Sequence, residues 1–350
     1  MAVKVYGGSV KATTANGSGG VYGANNLYGT PHRSVTVDIY GTAPASTGND
    51  YALYAVYGGG NRADYIYDNY PTVTVHNPNN SIEYVYGGGN AAAVKATNVT
   101  IWGGNVIGNV FGGGNGTMST ANVLGDTNVK VYGGTIGNVY GGSNTSGSID
   151  GNISVWVDSQ GEDEQLPNTM LIDNLYGGGN LAASNAGNIH IGCTGDGGHI
   201  KNVYGGANQA DISGNIDLHL NSGSIGNVFG GNNMSGNISG TITVTVEDKS
   251  SGCGVFTIDN VYGGGNFAAY TSNNNYPVVN MKSGLIRYAL YGGGYGSTAI
   301  VTGNPQVMMT GGTVGFTETV AGNEVVHGSV FGGGNQASVS GTTNVVIGKE

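Results

Sequence analysis

Few residues of this 350-residue chain carry charge. Asp, Glu, Lys and Arg make up 9% of it, against about 25% in an ordinary soluble domain. The 11 basic residues are outnumbered by 21 acidic ones, for a net charge of −10. No basic stripe exists to neutralise phosphates, which argues against a nucleic-acid partner. Apolar runs are short as well: none approaches the ~20 residues of a membrane-spanning helix, so membrane insertion is not expected. The N-terminus, MAVKVYGGSV, lacks a cationic region followed by an apolar one, so no signal peptide is read there. Both ends read as strand sequence without a polar cap. The expectation is one repeat domain over residues 1–350, cut from a longer protein.

Proline is scarce too, with 7 residues, and there is no Gly-X-Y period, which excludes collagen. Helical periodicity of useful length is missing. The two cysteines, Cys193 and Cys253, precede the recurring aromatics Tyr204 and Tyr262 by 11 and 9 residues, two repeats apart. Stacked repeats would hold them about 10 Å apart, beyond easy disulfide reach. Two unpaired thiols are therefore expected, and these say little about compartment.

What the chain has in excess is glycine, 69 residues, and the glycines recur in a motif typified by NVYGGGN at 260–266. Its aromatic falls at Tyr22, Tyr57, Tyr86, Phe111, Tyr140, Tyr176, Tyr204, Phe229, Tyr262, Tyr291 and Phe331, at intervals of 25 to 40 residues. A fixed internal period overrides any reading of single segments. Each interval also holds strict alternation of β-branched residues, as at Val35, Val37 and Ile39, at Ile153, Val155 and Val157, and at Ile242, Val244 and Val246. Period two marks half-buried strands. Gly-Gly pairs such as Gly103-Gly104 and Gly133-Gly134 end these strands, and IGNV units follow, as at Ile136 to Val139. Gly137-Asn138 suits a corner between two short strands, because both residues tolerate left-handed backbone angles. One repeat is then one coil of about three strands. The fold expected is all-β, a parallel β-solenoid in the form of a three-faced β-helix, with about eleven coils of 25 to 40 residues.

Within VYGGGN the aliphatic residue should point into the core and the aromatic out, while the glycines have no side chain to place in a narrow part of the cross-section and can supply the positive backbone angles of the next corner. Outward rings at Tyr57, Tyr86, Phe111, Tyr140, Tyr176, Tyr204, Phe229, Tyr262 and Tyr291 would form an aromatic ridge suited to stacking on sugars. Turned inward, the same rings would be a core stack. Alternation also points Tyr40, Trp102, Tyr132 and Trp156 outward. The asparagines Asn90, Asn115, Asn144, Asn180, Asn208, Asn266 and Asn335 should stack as a ladder of side-chain amides, as in cross-β structures.

Chemistry is harder to find. Glycosidases use paired carboxylates, whereas Asp38, Glu83, Asp126, Asp158, Asp217 and Glu247 repeat at no single position, and the acidic run at 161–165 reads as a solvated loop. The histidines His32, His76, His190, His199, His219 and His327 share no metal-ligand spacing. Calcium-binding nonapeptide repeats carry aspartate where these units carry asparagine. No catalytic residue, metal or cofactor is expected, and a polysaccharide-active β-helix enzyme is a lesser alternative. An ice-binding threonine array is another, broken here by Lys130, His190 and Asp217.

The repeated VYGGGN, VFGGGN and IGNVYGG units resemble the glycine-rich repeat regions of secreted or surface-attached adhesin-like β-solenoid proteins of gut anaerobic bacteria. The resemblance covers nearly the whole chain. It implies export, an extracellular or cell-surface location, and structural or binding duties without catalysis. Glycans or host and cell-surface polymers are the partner class such a rod would meet, many weak sites acting together through avidity. The competing expectation is a self-assembling filament or tail-fibre segment, joined end to end through unpaired strand edges.

Overall fold

The computed structural model describes residues 1–11, 19–44, 51–67, 69–76, 81–104, 106–160, 169–250, 252–272 and 274–348. The acidic run at 161–165 lies outside them. The protein is all-β, and no helix occurs among the described residues.

Strand pairing follows the repeat. A twelve-stranded sheet contains the strands that end in the motif aromatics, from Val21–Tyr22 to Ser329–Phe331, each hydrogen-bonded to its counterpart one repeat along. Strand Gly134–Tyr140, for example, lies parallel between Val106–Phe111 and Met170–Tyr176, with Tyr140 opposite Phe111 on one side and Tyr176 on the other. The alternating β-branched strands build a second stack, in which seven strands run from Ala2–Tyr6 to Asn188–Ile191 and five from Ile216–Leu220 to Asn344–Ile347. Shorter parallel pairings, such as Tyr65 with Val94 and Ser184–Asn185 with Ile212–Ser213, form a third set. One antiparallel hairpin, Thr317–Val320 with Asn323–Val326, stands apart from these.

Alternation explains the core. Ile153, Val155 and Val157 are fully buried while Ser154 and Trp156 between them are not. The valines, isoleucines and leucines of successive repeats merge into one aliphatic cluster running from Val21 to Val307. Each such side chain contributes roughly 1.5–3 kcal/mol on burial.

Two local expectations are corrected. Ile136 to Val139 do not turn a corner but lie inside the single strand Gly134–Tyr140, with Ile136 and Val139 both buried. The strand turns earlier, at Gly134, whose φ of +104° only glycine adopts readily. Of the two reasons expected for the motif glycines, positive backbone angles fail, since none of Gly263, Gly264 and Gly265 lies in the left-handed region, while the narrow cross-section holds. These glycines are required by close approach, since a Cβ on Gly264 would sit 3.0 Å from the Gly294 nitrogen of the next repeat.

Candidate functional site

The motif aromatics leave the aliphatic core, as alternation requires, but they do not reach solvent. Tyr57, Tyr86, Phe111, Tyr140, Tyr176, Tyr204, Phe229 and Tyr262 form a separate buried cluster, each at most 4% exposed. Successive rings stack nearly parallel, with centroids 4.7 Å apart for Phe111 and Tyr140 and 4.5 Å for Tyr140 and Tyr176. Each ring face is therefore covered by the next ring. Only toward the ends of the column does exposure rise, with Tyr22 and Tyr291 half-buried and Phe331 at 44%. The expectation of an outward ridge over Tyr57 to Tyr291 is overturned, because the spacing between repeats matches the stacking distance of aromatic rings.

The asparagines explain the rest of that burial. Asn90 donates to Asn61 Oδ1 at 2.8 Å, Asn115 to Asn90 at 2.8 Å, Asn144 to Asn115 at 2.9 Å, and Asn180 to Asn144 at 2.8 Å. The chain of amides continues through Asn208 and Asn233 to Asn266. Asn26, Asn61 and Asn233 also belong to it, and the constant offset of four residues from the aromatic was the signal that would have found them. Asn335 stands beyond the run, because Tyr295 occupies the asparagine position of the preceding repeat.

A second amide ladder went unread in the sequence. Asn260 donates to Asn227 at 3.1 Å, Asn202 to Asn174 at 3.0 Å, and Asn138 to Asn109 at 2.8 Å. These are the asparagines of the IGNV units and of their variants IDNL, IKNV and IDNV, two residues before each aromatic and on the same face of the strand. The ring column thus lies between two columns of amides.

The two systems are joined. The Tyr57 hydroxyl donates to Asn90 Oδ1 at 3.3 Å and accepts from Asn115 Nδ2 at 3.4 Å. Burial pushes Tyr22 up to about 12, and raises Tyr57, Tyr86, Tyr140, Tyr176, Tyr204 and Tyr262 above the ordinary phenol range too.

The second outward group also stacks on itself. Trp102 packs on Tyr132 at 4.4 Å, Trp156 on His190 at 3.7 Å, and Tyr40 between Tyr6 and His76 at 5.0 and 4.3 Å. Trp156 is 40% exposed and Tyr40 and Trp102 are half-buried, but Tyr132 is buried at 6%, contrary to expectation. Trp102 covers one of its ring faces. Rings stacked this way offer solvent mainly their edges.

A different surface is concave. On the outer face of the long sheet, the position before this asparagine, or before the residue that replaces it, carries Tyr54, Glu83, Asp173, Lys201, Asp259 or Tyr288, while glycine stands there at 226, at 328 and at the adjacent pair 108 and 137. The two side chains missing at that pair open a trough of about 720 Å³ lined by Tyr51, Asn109, Asn138, Asp173, His199 and Lys201 among others. Burial raises the Glu83 carboxyl above its usual range. Asn109 ends the second ladder: it accepts from Asn138, and no acceptor for its own Nδ2 occurs among the described residues.

The cysteines correct another expectation. Cys193 and Cys253 form a disulfide, with Cα atoms 5.0 Å apart. They occupy the same corner two repeats apart, but the corner between them has three residues, 221–223, while the connection bearing Cys253 has ten, 247–256. The long connection has slack to fold back across the short corner.

Elsewhere polar side chains pair simply, Arg287 with Asp259 at 3.2 Å and His76 with Asp38 at 3.4 Å. No group of three or more potential metal ligands occurs among the described residues, and no helix is long and apolar enough to cross a membrane. No family model, curated protein or solved structure matches this chain.

Proposed function

We propose that the chain is a parallel β-solenoid, a three-faced β-helix of about eleven coils of 25 to 40 residues, and that it serves as a non-enzymatic structural rod of the adhesin-like kind outside the cell. The observation that carries this reading is the pair of amide ladders enclosing a continuous ring column. Their side chains bond to one another along the stack instead of converging on a substrate. Such columns stiffen a stack in the way amide ladders and stacked rings stiffen cross-β assemblies. Eleven coils at the spacing of paired strands make a rod on the order of 50 Å long.

The Cys193–Cys253 bond supports the extracellular part, because structural disulfides persist in oxidising compartments. With the ring column buried, contact with glycans falls to the trough over Gly108 and Gly137, where Tyr51 offers a ring and Asn109 and Asn138 offer amides suited to hydroxyl groups. The test is location and thiol state together. Antibodies raised against the folded chain should label intact producing cells, and protein released from their surface should give no free thiol when denatured. Internal label with two free thiols would overturn the reading.

A further inference from the structure

The alternating strands do not form one sheet. Their hydrogen-bonded ladder stops at Asn188–Ile191 and resumes at Ile216–Leu220, which are neighbours without a ladder between them. The long sheet crosses the same step unbroken, since His199–Tyr204 pairs with Ser224–Phe229, and the short third-set strands Ser184–Asn185 and Ile212–Ser213 pair across it as well. One of three faces is therefore open at a single place in the stack.

The disulfide lies over that opening. Cys193 follows the last strand before the break, and Cys253 stands in the connection after Ile242–Val246, one repeat beyond the first strand past it. The connection reaches further back still: Gln160 Nε2 donates to the Gly252 carbonyl at 3.3 Å. Beneath this span is the short corner 221–223, and two of its polar atoms, Asn221 Oδ1 and Ser222 Oγ, are buried with no hydrogen-bond partner among the described residues. Buried polar atoms without partners are costly and gain hydrogen bonds as soon as water reaches them. The covering connection works against that cost. Besides the disulfide and the Gln160 bond, the connection is tied to the corner by Lys249 N–H donating to the Asn221 carbonyl at 2.8 Å, while Val255 is 78% exposed and the Cβ positions of Gly252 and Gly254 meet nothing within 4 Å.

We infer that Cys193–Cys253 is a redox clasp: reduction frees the connection 247–256 from the corner 221–223 and loosens the stack at the one step where the alternating sheet is broken, while the long sheet stays intact. The chemistry is thiol–disulfide exchange with a dithiol. One thiolate attacks a sulfur of the pair and releases the other cysteine as a thiolate; the second thiolate then attacks the mixed disulfide and displaces the remaining cysteine thiolate, so that the dithiol ends as its cyclic disulfide and its two protons pass to Cys193 and Cys253. Opening is local because stacked repeats contact only their neighbours.

Amide hydrogen exchange followed by mass spectrometry on the whole chain, with and without dithiothreitol, tests the clasp. The expected result is exchange at least about tenfold faster after reduction in peptides covering 219–224 and 247–256. Peptides covering Met170–Tyr176 and Thr257–Tyr262 should be unchanged. Cys253→Ser should reproduce the reduced pattern without reductant and should not respond to dithiothreitol. Equal exchange in the two states, an increase spread evenly through the long sheet, or a Cys253→Ser chain that still responds to reductant would each overturn the proposal.

Discussion

The Asn144 side-chain amide donates to the Tyr86 hydroxyl, two repeats earlier, at 3.1 Å. Its other N–H goes to Asn115 Oδ1 at 2.9 Å, and its own Oδ1 accepts from Asn180 at 2.8 Å. One side chain thereby ties four repeats together. Replacing Asn144 by Ala removes three bonds and leaves Tyr86, Asn115 and Asn180 short of partners. The expected loss is about 2–4 kcal/mol, since each partner left unsatisfied costs roughly 1–3 kcal/mol and nearby terms do not add fully. Denaturant unfolding measures it. Asn335→Ala, beyond the ladder, should change stability by less than about 0.5 kcal/mol, and equal losses at the two positions would show that the ladder is incidental.

Phe111 lacks the hydroxyl that its neighbours use. By the pattern of Tyr57 and Tyr86, a phenol at 111 would donate to Asn144 Oδ1 and accept from Asn180 Nδ2, one and two repeats ahead. Phe111→Tyr should therefore stabilise the chain by about 0.5–1.5 kcal/mol, the net worth of an ordinary hydrogen bond. A lower melting temperature would mean that the hydroxyls of the column tolerate the amides and do not depend on them.

Gly264 tests the close-approach account of the motif glycines. Its φ is ordinary, so a side chain there meets no backbone penalty, yet the added Cβ comes within 3.0 Å of the Gly294 nitrogen and 3.2 Å of the Gly293 carbonyl carbon. Gly264→Val should cost at least about 1–3 kcal/mol through overpacking. Gly7, whose Cβ position is open, should accept Ala with little change. If both variants melt together, the contact between successive glycine turns is not what selects glycine.

The architecture was legible because its signals repeat: the aromatic returns every 25 to 40 residues and the β-branched residues alternate. The fate of the rings was not. Alternation says which face of a strand a side chain takes, and Tyr140 does take the face opposite Val139. It says nothing of whether that face is covered, and here coverage comes from rings and amides of other repeats, 25 or more residues away. Exchanging Tyr176, Tyr204 and Tyr262 for Ala would therefore remove packing and would not isolate a binding surface. The trough was invisible for a related reason, because Gly108 and Gly137 become neighbours only through strand register. The disulfide escaped because uniform stacking takes every corner to be equally long, and the connection at 247–256 is not.

Alkaline pH should unfold this protein cooperatively. The column tyrosines have their proton-bound form favoured in the folded state, Tyr22 up to about 12 and Tyr57, Tyr86, Tyr140 and Tyr176 raised as well. In the unfolded chain the same phenols ionise near 10. Above that value the unfolded state binds fewer protons than the folded one, so stability falls as pH rises. The stabilisation is fully present below pH 10 and drains away from there through about 12 and beyond. Parallel titrations of phenolate absorbance and β-sheet circular dichroism provide the check. The column phenols should ionise only as the sheet signal is lost, in one steep step. Full phenolate absorbance with the sheet signal intact would mean that hydroxide reaches the rings in the folded stack, and that the amide columns do not seal them.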